Sequence, residues 1–203
     1  MYGTGFVQID GKDLYGANGL PIQDGNLRKL GNYNPDFSLG FNNSFSYKNF
    51  DLNIFIQGSQ GGDIFNMTNV QLHNGDANTT RDYFNSAWTS TNTNTNTPAV
   101  GRNIHRETSS RFVEDGSYVR LKNIALGYNF PSDIVENLGL DNIRLSLSAQ
   151  NLLTFTNYSG LDPEVNFFGG SGANNLKRNT AQGFDFGNYP TVESFNIALN
   201  VKF

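Results

Sequence analysis

Cysteine is absent from this sequence, and charged residues are scarce. Without a thiol the chain has no disulfide, no zinc–thiolate site and no cysteine nucleophile. Lysine and arginine number 14 against 18 acidic residues, so no basic excess is available to neutralise a nucleic-acid backbone, and we expect no nucleic-acid partner. Long apolar runs are also missing, since none approaches the roughly 20 residues of a membrane-spanning helix. Membrane-spanning β-strands stay open, because alternating strands average to neutral hydropathy.

Catalytic and metal-binding motifs are equally sparse. His73 and His105 are the only histidines, and neither has a companion at metal-ligand spacing. The sequence contains no nucleophile motif, no HExxH and no phosphate-binding loop. Asp162 and Glu164 flank a proline, which predicts a turn rather than an acid–base dyad. We therefore expect no enzyme, no catalytic residue, no metal and no cofactor.

Strict alternation is the dominant pattern in what is present. From Phe37 to Tyr47 the odd positions are mostly large and apolar, and the even positions are small and polar. After Lys48-Asn49 the apolar residues move to the even positions, beginning at Phe50. A two-residue hairpin turn requires this change of phase, because it places Tyr47 opposite Phe50 on the same face of a sheet. The two apolar faces therefore become one.

Three later segments repeat this design, and the sequence predicts an all-β fold with about five long antiparallel strands. The predicted strands cover about 36–47, 50–60, 117–130, 142–153 and 191–203. In the third of these the apolar set changes phase near Lys122-Asn123, which predicts a β-bulge. None of the apolar faces carries a charge.

An uncharged apolar face suits either the core of a soluble sandwich or the lipid around a membrane barrel. Strand lengths near the roughly 9–11 residues of a membrane strand favour the barrel. Aromatic residues at strand ends, typical of lipid–water interfaces, point the same way. These aromatics are Tyr47, Phe50, Tyr128, Phe130 and Phe203.

The connections alternate between short and long. Bacterial barrels have short periplasmic turns and long outer loops, so we expect segment 1–35 and loops 61–111 and 154–190 to be extracellular. In the long loop after the second strand, Thr80 is expected to cap a short helix, and the Asn/Thr repeat at 89–98 is expected to form a mobile, solvated tip.

The second short connection, PSDIVENLGLD, is expected to contain one helical turn. Ser132 or Asp133 would cap its start, and Gly139 would end it.

Four segments resemble, in order and spacing, the C-terminal part of the SusC/RagA family of TonB-linked outer-membrane transporters. They are NPDFSLGFNNSFSYKNFDLNIFIQGSQGGDIFN, RFVEDGSYVRLKNIALGYNFP, QNLLTFTNYSGLDPEV and YPTVESFNIALNVKF. The resemblance runs from about Asn18 to Phe203. It implies part of a large, plugged barrel of about 22 strands in the outer membrane of a Bacteroidetes-like Gram-negative bacterium.

The resemblance also implies partners. These are the TonB complex, a SusD-like surface lipoprotein and cargo consisting of oligosaccharides or peptides. Five strands cannot close a barrel, and open edges in lipid would leave backbone groups unpaired. We therefore expect the chain to be a fragment, or one piece of a split protein, that needs the remaining strands and the plug. Two alternatives are a secreted all-β binding or adhesion module and a passive porin-like barrel.

Some polar-face and loop residues are candidate cargo contacts, because rings offer flat apolar faces to sugars and polar groups satisfy hydroxyls. They are Trp88, Arg120, Lys122, Arg144, Gln150, Phe167 and Phe168. The structural alternative for each is lumen lining or loop packing. Phe203 ends an alternating strand in the form that resembles the assembly signal of outer-membrane barrels, with a simple interfacial aromatic as the alternative.

Overall fold

The computed structural model describes residues 2–9, 12–73, 78–100, 110–164 and 182–203. The strands in these ranges are β1 (Tyr2–Gly3), β2 (Gln8–Ile9), β3 (Lys12–Asp13), β4 (Arg28–Lys29), β5 (Phe37–Tyr47), β6 (Phe50–Gln60), β7 (Asp63–Asn66), β8 (Val113–Asp115), β9 (Tyr118–Asn129), β10 (Asn142–Thr156), β11 (Phe184–Asp185) and β12 (Ser194–Lys202). The helices are α1 (Met67–His73), α2 (Arg81–Ser86) and α3 (Ser132–Asn137), with a 3-10 turn at Ser110–Phe112. Across the described ranges, no helix has the length and apolar character needed to cross a membrane.

The chain divides into two compact units. The loop unit consists of Met1–Pro35, Gly61–Gly116 and Tyr158–Tyr189. The sheet unit consists of Asp36–Gln60, Ser117–Asn157 and Pro190–Phe203.

The sheet unit contains five antiparallel strands in the order β12-β10-β9-β6-β5. The predicted set of about five long antiparallel strands is therefore confirmed. The observed β10 extends to Thr156, beyond the expected end at residue 153, because the alternation resumes on Leu153 and Phe155 after an irregularity. The last strand, β12, begins at Ser194, three residues later than expected.

The register gives the sheet two chemically distinct faces. The β5–β6 hairpin pairs Tyr47 with Phe50, as the change of phase predicts. Lys48 has a φ of 51°, the left-handed conformation that the first residue of such a turn requires. Residues that pair across strands point to the same side, so the apolar sets of all five strands share one face. That face is bare in this chain: Phe41 is 58% exposed and Ile197 is 77% exposed.

Aromatic side chains gather on this face at the end of the sheet that carries the short turns. The rings of Phe50 and Tyr128 have centroids 4.6 Å apart, and Tyr128 meets Phe130 edge to face at 5.1 Å. Lys48 lies over the ring of Tyr47 at 5.4 Å. Such a row suits a lipid–water interface, where amphipathic rings and lysine stems are favoured.

Two bulges interrupt the sheet side by side. Phe55 pairs with Asn123 and Ile56 with Leu121, so Lys122 is the extra residue of β9 relative to β6. The predicted bulge at this position is confirmed. A second, unpredicted bulge lies on β10 between Gln150 and Leu153. There Asn151 adopts a φ of 53°, which asparagine tolerates better than most residues.

Helix α3 joins β9 to β10 and begins differently from the prediction. Pro131 occupies the N-cap position, and no side chain caps the helix. The expected caps are wrong, because Ser132 and Asp133 already lie in the first turn, where the serine hydroxyl donates to the aspartate at 3.3 Å. Gly139 ends the helix as predicted, with a φ of 70°.

The loop unit has a small core of its own. Strand β7 pairs in parallel with β11 and antiparallel with β8. Phe65, Val70 and the fully buried Phe112 pack together, with Met67 and Phe184 against them. Two short pairs, β1–β4 and β2–β3, complete the strands described for this unit.

The Asn/Thr repeat in the loop unit is anchored rather than free. Thr80 caps α2 by accepting a hydrogen bond from the Tyr83 N–H, as predicted. Past the helix, Thr95 and Asn92 donate from their side chains to backbone carbonyls of α2 and its C-cap, and Pro98 is fully buried. Most side chains of the repeat are exposed, as expected of a solvated tip, but its short polar side chains fold the stretch back by bonding nearby backbone groups.

Candidate functional site

The polar face of the sheet unit is the candidate functional site. It carries mainly small neutral side chains that hydrogen-bond between neighbouring strands. The Asn53 amide donates to the Ser44 hydroxyl at 2.8 Å, and the Gln57 amide donates to the Tyr118 hydroxyl at 3.1 Å. A surface of hydroxyls and amides suits water or a hydrated cargo.

Arg144 of β10 forms an ion pair with Asp51 of β6 across the intervening strand β9. Its two terminal nitrogens donate to the two carboxylate oxygens at 2.6 and 2.8 Å, a bidentate arrangement. It also donates to the Asn129 side chain at 3.2 Å. Gly127 of β9 makes room for this pair, because a Cβ there would lie 2.6 Å from the Asp51 carboxylate and collide with the guanidinium. The pair therefore links three strands and depends on a glycine.

Arg120 of β9 is another charged group on this face, and it is buried. Its Nε donates to the Thr154 hydroxyl at 2.8 Å, and Nη1 donates to the Thr191 hydroxyl at 3.2 Å. The guanidinium also lies 5.7 Å from the centre of the Tyr118 ring. With 3% of its surface exposed, Arg120 presents little area to a cargo and serves the packing of the sheet.

Lys122 and Gln150 lie next to each other at the paired bulges. Gln150 pairs with Asn123 in the sheet, is exposed, and accepts a hydrogen bond from the Ser194 hydroxyl at 3.4 Å. Lys122 is half-buried. Bulges change the direction of side chains, so this is the most irregular part of the polar face.

The other predicted contacts are scattered. Arg144 is six residues from Gln150 along β10, about 20 Å at roughly 3.3 Å per residue. Trp88 belongs to the loop unit, where its ring is half-buried and packs so close to Gly19 that an added Cβ there would collide with the indole. Phe167 and Phe168 lie outside the described residues. Among the candidates that the structure describes, Arg120, Lys122 and Gln150 lie near one another at the paired bulges, and the role of each candidate in cargo binding stays a prediction.

The loop unit contains buried polar networks that sequence analysis missed. The Tyr158 hydroxyl donates to the Asp185 carboxylate at 2.6 Å, and the Thr68 hydroxyl donates to its other oxygen at 3.4 Å. Burial and this hydrogen bond raise the pKa of Tyr158 far above its ordinary value. The Glu114 carboxylate accepts from the side chains of Asn66 and Ser159. These networks join segments far apart in sequence, and no local motif marks them.

His73 is a packing residue in this unit. Its ring stacks on Tyr83, with centroids 4.3 Å apart. Burial, and then the charge of Arg111, lower the pKa of His73. Arg111 is itself paired with Asp13. Within the described parts of the chain, no group of three or more histidine or acidic side chains is positioned to hold a metal.

Comparison with known proteins gives the chain its relatives. No protein-family model matches it. It is 48% identical over 198 residues to the TonB-dependent receptor P3 of Formosa agariphila, a match that covers 98% of this chain and 19% of that receptor. The TonB-dependent receptor P26 of the same bacterium is 35% identical over 178 residues, which is 86% of this chain and 18% of the receptor.

More distant matches are found in SusC and RagAB. The TonB-dependent receptor SusC of Bacteroides thetaiotaomicron is 24% identical over 210 residues, covering 95% of this chain and 19% of SusC. Among solved structures, the RagAB peptide importer in its closed-closed state matches with a TM-score of 0.74 and 22% identity. That match covers 100% of this chain and 23% of the importer chain, and the open-open state gives the same TM-score.

The fold and these relatives define a class of protein: the chain is a segment of the transmembrane β-barrel of a TonB-dependent receptor. Within that class it belongs to the SusC/RagA family, of which it represents the C-terminal part. The chain spans about a fifth of the length of the relatives it matches.

Proposed function

We propose that the complete protein is an outer-membrane importer that takes up nutrients with energy from TonB. The observation that carries this proposal is the 48% identity to a TonB-dependent receptor over 98% of the chain. The two-faced sheet supports it, because an uncharged apolar face for lipid and a hydrogen-bonding face for a wet lumen are what a barrel wall requires.

The proposed cargo is an oligosaccharide or a peptide. The polar face supports a largely neutral, hydrogen-bonding cargo, because Asp51 and Arg144 neutralise each other, Arg120 is buried, and Lys122 adds a single half-buried charge at the bulges. The exposed groups that remain are mostly hydroxyls and amides, which can bond sugar hydroxyls and peptide groups alike. RagAB is a peptide importer, and its similarity to this chain supports the peptide alternative.

The proposed partners are the rest of the same receptor, a SusD-like surface lipoprotein and the TonB complex. The missing strands follow from geometry, since an open five-stranded sheet in lipid would leave backbone groups unpaired at both edges, and the plug follows from the family resemblance. The lipoprotein follows from the family resemblance. Co-purification of a surface lipoprotein with the full-length receptor would test this part of the proposal.

Uptake measurements test the proposal as a whole. The full-length gene would be restored to a deletion strain, and accumulation of labelled oligosaccharide or peptide would be followed with the TonB system active and inactive. We expect accumulation against a gradient that disappears when TonB is inactive. Uptake that persists down a gradient without TonB would instead identify a passive pore, and a receptor that binds cargo without taking it up would favour an adhesion role.

Two variants test the candidate contacts at the paired bulges. Lys122→Met and Gln150→Leu remove polar groups from the polar face while keeping similar volume. If these groups contact cargo, each change should raise the cargo concentration needed for half-maximal uptake. Asn43→Leu, on the apolar face, is the matched control and should leave uptake unchanged.

A further inference from the structure

A groove of about 630 Å³ opens on the sheet unit at the end that carries the long connections. Its floor is Gly58 of β6. The register places Leu39 on one side of this glycine and Val119 on the other. Phe37 and Phe155 extend the two walls, and both rings are more than half exposed in this chain.

The groove belongs to the apolar face and has a polar end. Gly58, Leu39 and Val119 pair across strands and therefore share the apolar face. Gln60 pairs with Phe37 on the same face, and its amide donates to the Ser117 hydroxyl at 3.2 Å. Asn157 lines the same end. The lining thus changes from hydrocarbon to neutral amides and hydroxyls over a few residues.

Gly58 keeps the groove open although nothing in the backbone demands a glycine. It is not among the residues with a positive φ. A Cβ at this position would lie 3.4 Å from the Tyr118 carbonyl oxygen, 3.5 Å from Val119 and 3.6 Å from Leu39, which is ordinary van der Waals contact. A larger residue would fit the strand and fill the space between the walls.

We propose that this groove binds the acyl chain of one membrane lipid, with oxygen atoms of the lipid headgroup at Gln60, Ser117 and Asn157. The groove is continuous with the face that meets the bilayer, so an acyl chain can enter it without crossing water. Amide N–H groups donate to ester and phosphate oxygens. The volume also lies within the roughly 300–1,000 Å³ of small-molecule sites. No charged residue lines the groove, so the site does not select an anionic headgroup. The inference requires that the sheet spans the membrane, but it does not require that the complete protein imports a cargo.

Photo-crosslinking of the full-length receptor tests this proposal. The receptor is reconstituted in phosphatidylethanolamine vesicles that contain a trace of the same lipid with a photoactivatable group on one acyl chain. After illumination, labelled peptides are quantified by mass spectrometry. We expect labelling of the peptides that contain Val119 and Phe155 to exceed labelling around Phe45 or Ile197, on the same face, by at least fivefold.

Filling the groove should abolish that preference. Gly58→Leu should reduce labelling at Val119 and Phe155 at least fivefold, and Asn43→Leu, which adds the same side chain elsewhere on the apolar face, should not. If Gly58→Leu fails to insert, Gly58→Ala and Val119→Phe supply smaller changes with the same expected direction. Uniform labelling along the apolar face would overturn the proposal, because it would mean unselective contact with bulk lipid. A protein segment found crosslinked or co-purified in the groove instead of lipid would also overturn it.

Discussion

A single arginine on the apolar face provides the sharpest test of the two-faced sheet. Ile54 lies one residue from the middle of β6 and pairs with Asn43 on one side and Ile124 on the other. The strand has 11 residues, which span about 36 Å at roughly 3.3 Å per residue and about 25 Å along the membrane normal at a tilt of about 45°. Position 54 therefore lies close to the bilayer midplane.

Ile54→Arg should destabilise the inserted receptor by about 2–4 kcal/mol, the cost of an arginine at this depth on a lipid-facing position. At about 1.4 kcal/mol per factor of ten, the folding equilibrium should shift by roughly 30- to 700-fold. The control is the adjacent residue on the other face. Asn53→Arg loses one exposed hydrogen bond to Ser44, worth about 1 kcal/mol, and places its charge in a wet environment.

The assay is reversible guanidinium unfolding of the full-length receptor in lipid vesicles, followed by the shift of the folded band in gel electrophoresis without heating. We expect Ile54→Arg to unfold at clearly lower denaturant than the wild type, with Asn53→Arg close to the wild type. Equal stability of the two variants would refute the assignment of the faces, because a one-residue step along a strand must exchange lipid for lumen.

Four further predictions follow from particular contacts. Gly127→Val should break the ion pair of Arg144, so that β10 exchanges amide hydrogens faster near its start; unchanged exchange would mean that the pair contributes nothing to the sheet. Tyr158→Phe removes the donor to a buried carboxylate and should cost about 1–3 kcal/mol in local stability, measured by hydrogen exchange of the loop unit, and an effect below the error of the method would contradict this. Because the pKa of His73 is lowered in the folded state, its stabilising effect is complete above about pH 6.5 and is lost as pH falls below that value. His73→Gln should weaken this acid sensitivity of the loop unit, and an identical pH profile would show that other groups cause it. Deleting Phe203 from the full-length receptor should lower the amount inserted in the outer membrane with little change in transport per inserted molecule, and normal insertion would eliminate its role as an assembly signal.

The strands of the sheet could be predicted because their signal is local. Within about 25 residues, three sequence features together determine the register of the first hairpin. They are the period of two, the absence of charge on one face, and a turn that shifts the phase by one residue. The bulge at Lys122 was visible for the same reason, since it shifts the apolar phase inside one strand. The bulge at Asn151 was not predicted because the strand was expected to end at residue 153, which leaves a single apolar position beyond the bulge and so no visible change of phase.

The loop unit could not be predicted, because its order comes from contacts between distant segments. Tyr158 and Asp185 are 27 residues apart, and Thr68 is 117 residues from Asp185. Asparagine and threonine have weak preferences of their own and bond whatever backbone is near. In the Asn/Thr repeat that versatility gives an exposed tip that is tied to its own helix by hydrogen bonds, which composition alone did not indicate.

The candidate site shows the same division between local pattern and long-range register. The polar character of Asp51 and Arg144 was readable from the alternation, but their pairing was not. It requires three strands in one register and a glycine between them. Pairing also changes the chemistry of the face, because an exposed arginine could bind an anion, whereas a bidentate pair presents little net charge.

Two strand glycines show how far a residue type alone can mislead. Gly127 lies on the polar face, where any side chain would collide with the ion pair that crosses above it. Gly58 lies on the apolar face, where a side chain would fit in ordinary contact with its neighbours. Glycine weakens a strand in both places, yet only the first is required by what surrounds it. The surroundings of Gly58 therefore do not explain why a destabilising glycine is present there. The feature that its missing side chain creates is the open groove between Leu39 and Val119.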